Sequence, residues 1–310
     1  MGCLNPSVLE IKRLQKFKIQ KDVAESGGHS NKRDYGDKSD RSVEDDSNGK
    51  SGHSDKKSLL KVSGLGIGYG SVPIAKNLDF EVSKGQLTAI VGVNGIGKST
   101  LLRTLGTLQS KISGSILLDG NPIERYPPQD LASRIALVLT EPMASKNMSV
   151  REVIALGRQP YTNWIGRLSQ SDKDKIQEAL ALLELEGIQR KKCFELSDGQ
   201  LQRTMIARAF AQDTEIILMD EPTTHLDLYH KAQILKLMKS IAHETNRTIL
   251  FTTHEIEMAI QLCDSLLILD GNKNPFGSSE QLIEQKAFEN LFPSDVISFD
   301  AMTGSFQIRP

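Results

Sequence analysis

The chain has 310 residues, with 38 Lys and Arg against 39 Asp and Glu and a formal net charge of −1. That length holds one large domain or about two of roughly 150 residues, with a core that needs no staples, and the charge balance excludes the basic footprint of a dedicated nucleic-acid binder. Cys3, Cys193 and Cys263 form no spaced framework for disulfides or a metal, so the chain reads as one from a reducing compartment. No apolar run nears the roughly 18 residues of a membrane span, and the first residues lack a signal-peptide apolar region.

Residues 1–57 read as a polar leader. Within 26–57 only Tyr35 and Val43 are sizeable and apolar, too little buried surface to offset the entropy of ordering, which predicts disorder. Upstream, Val8, Ile11, Leu14 and Phe17 recur at near-helical spacing beside Lys12, Arg13, Lys16, Lys18 and Lys21. A frayed polar leader is the favoured reading, a basic amphipathic helix on a membrane surface the other.

From residue 59 strand and helix signals alternate. Residues 59–62 and 78–82 look like strands, and 86–91 (QLTAIV), after the Lys84-Gly85 turn, suits a buried central strand. A helix over 99–108 and strands over 115–118 and 135–139 follow. Residues 172–185 carry Ile176, Ala179, Leu180 and Leu183 on one helical face, with Ser171 or Asp172 as the cap. A helix over 201–212 precedes three buried-type strands, 216–219, 248–252 and 265–269, separated by helical patterns at 229–245 and 255–262. This alternation predicts an α/β fold with a mostly parallel sheet. Residues 299–306 read as a short hairpin within a C-terminal extension, 286–310.

The strongest local pattern is Gly92-Val93-Asn94-Gly95-Ile96-Gly97-Lys98-Ser99, which fits G-x-x-x-x-G-K-S/T between a predicted strand and a predicted helix. Its glycines let the backbone turn so that N–H groups face phosphate oxygens, and the helix start adds partial positive charge. Lys98 is then expected to reach the β- and γ-phosphates of a nucleotide and Ser99 to ligate Mg2+. The run Ile216-Ile217-Leu218-Met219-Asp220-Glu221 ends an apolar strand in two carboxylates at the sheet edge where α/β folds bind ligands. Asp220 is expected to hold Mg2+ through water and Glu221 to act as general base on the attacking water.

Leu196-Ser197-Asp198-Gly199-Gln200, just ahead of that acidic pair and followed by a helix, resembles the LSGGQ signature of ATP-binding-cassette (ABC) ATPases. The resemblance covers about 59–285. It implies a P-loop NTPase cassette over 58–285 with a mostly parallel core sheet, an antiparallel β subdomain and an inserted helical subdomain at about 142–196. It implies that ATP is held by Gly92, Asn94, Gly95, Gly97, Lys98, Ser99 and Thr100, with Tyr69 stacked on adenine. Ser197, Gly199 and Gln200 would bind the γ-phosphate of an ATP held by a second copy. Thr223-Thr224-His225-Leu226-Asp227 resembles the loop that crosses between subunits, placing Asp227 at the nucleotide too. His254 looks like the switch histidine on the γ-phosphate, working in catalysis with Glu221 and Lys98. Thr140-Glu141 stands where the family carries a glutamine. Thr140 is too short to reach as that glutamine does, and Glu141 is either a carboxylate that binds the metal beside Ser99 and Asp220 or simply the start of the next segment, Glu141-Pro142.

Residues 156–169, with Gly157-Arg158-Gln159-Pro160 and later Leu168-Ser169, look like a stretch of the ATPases that power iron-siderophore, haem and cobalamin importers. This implies an ATP-hydrolysing subunit, peripheral on the cytoplasmic face of the cell membrane, paired with a second copy and two membrane permease subunits, and served indirectly by a periplasmic or lipoprotein binding protein. A soluble ABC ATPase, such as one of iron–sulfur assembly, is the alternative. The signature and His254 disfavour a P-loop kinase or GTPase.

Overall fold

The computed structural model describes residues 58–140, 145–293 and 295–309. The expectations for the 1–57 leader, its Val8–Phe17 pattern and Glu141 lie outside the described residues.

Strands β1 (Ser58–Tyr69) and β2 (Val72–Ser83) form a long antiparallel ribbon, joined by β4 (Ser113–Leu118) and β5 (Asn121–Pro122) into a four-stranded sheet ordered β2-β1-β4-β5. The two short strands expected at 59–62 and 78–82 are thus halves of 12-residue strands. The glycine-rich stretch between them is absorbed by register shifts in the pairing rather than forming a loop.

The second sheet has six strands in the order β10-β9-β3-β8-β7-β6: β3 (Leu87–Gly92), β6 (Ile135–Val138), β7 (Ile216–Met219), β8 (Thr248–Thr252), β9 (Ser265–Leu269) and β10 (Phe276–Gly277). All pair in parallel except β10. β3, β7, β8 and β9 are buried along their whole length, which is why they read as continuous apolar runs. Helix α1 (Lys98–Leu105) joins the two sheets. Its Leu101, Leu102 and Leu105 lie in one apolar cluster with Leu60, Leu65, Leu78 and Phe80 from the ribbon and Ile90, Leu218 and Leu250 from the parallel sheet. At roughly 1.5–3 kcal/mol per buried large apolar side chain, this cluster fixes the ribbon beside the phosphate loop.

Helix α2 (Pro128–Arg134) leads into β6. Helices α3 (Val150–Leu156), α4 (Gln170–Leu182) and α5 (Asp198–Ala211) pack against one another. The helix expected at 172–185 starts two residues earlier, because Ser169 is the cap and Asp172 closes a reciprocal pair with it. Helices α6 (Leu228–Thr245), α7 (Ile256–Leu262) and α8 (Ser279–Glu284) follow. A hairpin of β11 (Ile297–Asp300) and β12 (Ser305–Ile308) is stapled to α7 by the Phe306 N–H donating to the Glu257 carboxylate at 2.8 Å. Among the described residues no helix is long and apolar enough to cross a membrane.

Candidate nucleotide site

The parallel strands bring three chain segments to one edge. β3 pairs with β8 so that Ile90 lies opposite Thr252, and β7 pairs with β8 so that Met219 lies opposite Phe251. The phosphate loop, the acidic pair and the Thr253-His254 turn therefore emerge side by side.

In the loop, Gly95 and Gly97 have φ of +78° and +111°, backbone that L side chains rarely adopt. A Cβ on Gly97 would also meet the Ile74 side chain at 2.8 Å. Glycine at 97 therefore lets the start of β2 approach the loop, and Tyr69, 60% exposed, ends β1 opposite Val72. Asn94 is exposed and Thr100 is buried in the first turn of α1. Lys98 is only 6% exposed, and its Nζ donates to the Gly92 and Val93 carbonyls at 2.9 and 3.1 Å. Burial pushes its ammonium below the ordinary lysine value, and the nearby Glu221 and Asp220 carboxylates pull it back up.

Asp220 is buried (3% exposed) and ringed by hydroxyls. Ser99 Oγ donates to its Oδ1 at 2.9 Å, Thr252 Oγ1 to the same oxygen at 2.7 Å, and Thr140 Oγ1 to Oδ2 at 3.3 Å. Glu221 follows with φ +48°. Its Oε1 lies 2.6 Å from His254 Nε2, and its Oε2 accepts from Thr224 Oγ1 at 3.0 Å. A carboxylate only accepts, so this imidazole nitrogen carries the proton.

A second group forms where α5 and α6 begin. Ser197 caps α5 by accepting from the Gln200 N–H, while the Gln200 side chain accepts from the Ser197 N–H at 3.2 Å. Asp227 caps α6 through the His230 N–H at 2.9 Å. A Cβ on Gly199 would lie 3.7 Å from His230 and 3.8 Å from Leu226, so the signature segment and the 223–227 segment share one surface.

The structure therefore joins Lys98, Ser99, Asp220, Glu221 and His254, and gathers Ser197, Gly199, Gln200 and Asp227 apart from them in hydrogen bonding. Thr140, Thr224 and Thr252 are additional partners that the sequence reading did not place at the site. Arg158 and Gly157 turn inward. Arg158 Nε donates to Asp172 Oδ1 at 2.9 Å and Nη1 to the Ala211 carbonyl at 2.7 Å, and a Cβ on Gly157 would sit 2.2 Å from the Arg208 carbonyl oxygen. This pair locks α3 and α4 onto α5, while Trp164 of the same stretch is 94% exposed.

A glycine cradle at a strand–helix junction, with a carboxylate pair at the end of a parallel strand one strand removed in the same sheet, defines a P-loop nucleoside triphosphatase. The chain belongs to the ABC transporter family. That family's sequence pattern matches residues 75–224. An uncharacterized ABC transporter ATP-binding protein of Methanocaldococcus jannaschii is 35% identical over 81% of this chain and 87% of its own length. The iron(3+)-hydroxamate import ATP-binding protein FhuC of Bacillus subtilis is 36% identical over 76% of this chain and 88% of its own. A solved metal-chelate type ABC transporter in an inward-facing conformation superposes with a TM-score of 0.67 at 28% identity, covering 81% of this chain and 95% of that one. As a family member the chain is an ATP-binding subunit, an ATPase whose hydrolysis is coupled to transport.

Proposed function

We propose that the chain powers import of a chelated iron compound of the siderophore class, acting as a pair of copies bound to membrane permease subunits. The observation that carries this reading is the division of the expected ATP contacts between two groups. The loop, Asp220, Glu221 and His254 form one; the signature and Asp227 form the other at the starts of α5 and α6. Each ATP would lie between the first group of one copy and the second group of its partner. Tyr69 stacks on the base, the loop amides and Lys98 take the phosphates, and Ser197, Gly199 and Gln200 of the other copy close on the γ-phosphate.

Ser99 and Asp220 fit Mg2+. Ser99 Oγ lies 2.9 Å from Asp220 Oδ1, a hydroxyl beside one carboxylate, and this ion takes one or two carboxylates with phosphates and waters making up the rest. Bound there, Mg2+ would neutralise charge on the β- and γ-phosphate oxygens. Glu221 takes the proton of the attacking water, and His254, which now donates to Glu221, turns its N–H to the γ-phosphate.

The permease is proposed to dock in a cavity of about 830 Å3 lined by Leu131, Leu137, Leu139, Met148, Leu156 and Met205, an apolar cleft framed by α2, β6, α3 and α5. Residue 140, next after the lining Leu139, hydrogen-bonds Asp220, so movement in the cleft reaches the ATP site through one residue. Likeness to FhuC and to the metal-chelate transporter structure supports the iron-chelate class ahead of haem or cobalamin, and the proposed permease contact would hold the chain at the cytoplasmic face of the membrane.

The test is Glu221→Gln. It should keep ATP binding, lose turnover about 100-fold or more and run as a dimer when ATP is present. Normal turnover, or ATP held only by monomers, refutes the reading. In vesicles with the permease, a ferric-siderophore-loaded binding protein should raise ATPase activity where haem and cobalamin do not.

A further inference from the structure

β8 lies between β3 and β7 in the sheet, so its last residue is flanked by the two strand ends that carry the phosphate loop and the acidic pair. That residue, Thr252, is fully buried at 0% exposure. Its Oγ1 donates to Asp220 Oδ1 at 2.7 Å and accepts from the Glu221 backbone N–H at 2.9 Å. A hydroxyl has one proton and two lone pairs, so both bonds form together and neither competes with the other.

Of the three hydroxyls on Asp220, this is the one that also reaches Glu221. Ser99 has a second task if it turns to the metal, and Thr140 is exposed and more distant at 3.3 Å. Glu221 needs the help, because φ of +48° is unfavourable for a residue with a side chain. Held there, its carboxylate faces His254, while the preceding Asp220 faces Ser99. Along a regular strand the two side chains would simply alternate faces; here they diverge toward two different partners at one edge.

We infer that Thr252 is a positioning residue for ATP hydrolysis, one hydroxyl that assigns Asp220 to the metal side of the site and Glu221 to the water side. The inference rests on the roles proposed above for those two carboxylates. Valine has nearly the same shape and lacks the hydroxyl, so it removes both bonds while filling the same space; serine keeps the hydroxyl.

The experiment uses the full chain as wild type, Thr252→Val and Thr252→Ser. It measures ATPase rates across a Mg2+ series, ATP affinity in EDTA, melting temperature, and amide hydrogen exchange at Glu221 without nucleotide. Loss of a buried hydrogen-bonding partner should lower kcat about tenfold or more in the valine variant, raise the half-saturating Mg2+ severalfold and speed Glu221 amide exchange about tenfold. ATP affinity in EDTA should stay within about twofold, since the metal-free loop contacts are untouched. Serine should return each value to within about threefold of wild type.

Wild-type kcat and Mg2+ response in Thr252→Val overturn the inference. So does a serine variant as impaired as valine, or a valine variant that unfolds or loses ATP binding in EDTA, because each assigns the effect to packing. Full turnover in Asp220→Asn or Glu221→Gln would instead remove the carboxylate roles themselves, so the two failures are distinguishable.

Discussion

Lys98 carries a cost in the nucleotide-free protein that ATP would relieve. Its ammonium is buried against carbonyl oxygens and its proton affinity is lowered by that burial, with the two carboxylates nearby as partial compensation. Removing a poorly solvated charge is often neutral or stabilising, while removing a phosphate partner is not. Lys98→Met should therefore melt no lower than wild type without nucleotide, yet bind ATP at least about tenfold more weakly; calorimetric scanning and titration on the same sample check both. At this scale the site was legible wherever residue type and spacing carry the chemistry: Gly92 to Ser99, Asp220, Glu221 and His254. Thr252 was not, because a threonine in an apolar strand reads as a β-branched filler. Its role depends on β8 lying between β3 and β7, an order that no local pattern encodes. Thr140 was judged by length against a glutamine. The structure shows that its hydroxyl has a partner in Asp220.

Helix starts repeat one device. Ser149 with Glu152, Ser169 with Asp172, Ser197 with Gln200 and Ser278 with Gln281 each form a reciprocal capping box, worth about 1 kcal/mol for the capping side chain. The Ser-x-x-acid/amide spacing was present in the sequence, and using it would have started α4 at its true position. At Ser197 the device serves two ends, since the residues that begin α5 are those expected to meet a partner's ATP. The Gly157-Arg158 stretch divides by burial. Its Gly157 and Arg158 secure helices, while Tyr161, Trp164 and Ile165 are exposed and free to meet another protein. Burial pushes the Asp172 carboxyl up, but hydrogen bonds from Ser169 and Arg158 outweigh it and hold the group below its ordinary value. An acid with a lowered folded-state value stabilises above its unfolded value, and the contribution is lost as pH falls through the folded one. Arg158→Met strands a buried carboxylate and should cost about 3–5 kcal/mol near neutral pH. The difference should shrink in acid below the usual carboxylate range, as followed by urea unfolding.

Alternation of apolar strands with amphipathic helices was enough to give the α/β class, because fully buried parallel strands and one-sided helices have distinct periodicities. The antiparallel ribbon was legible only in part, since glycines at bulges look like turns. The relation between cleft and site was not legible at all, because Leu131, Met148, Leu156 and Met205 come from separate segments of the chain that no sequence pattern links. Yet the proposed coupling to a permease rests on this relation. An apolar cavity of this size, beside β6, whose end lies two residues before Thr140, leaves surface that a partner helix would cover, with one wall formed by α5 just behind the signature. Arg208 fastens that wall, its Nη2 donating to the Leu137 carbonyl at 3.3 Å. A carboxylate at Leu131, a half-buried residue at the edge of the apolar core cluster, would be desolvated by a docked partner, which costs several kcal/mol at an interface. Leu131→Glu should thus keep the ATPase rate of the purified chain within about twofold, lose co-purification with the permease at least about tenfold, and abolish ligand-stimulated ATPase activity in vesicles. Retained permease binding in that variant would move the docking surface elsewhere, with the exposed Trp164 tip the next place to probe by substitution to serine.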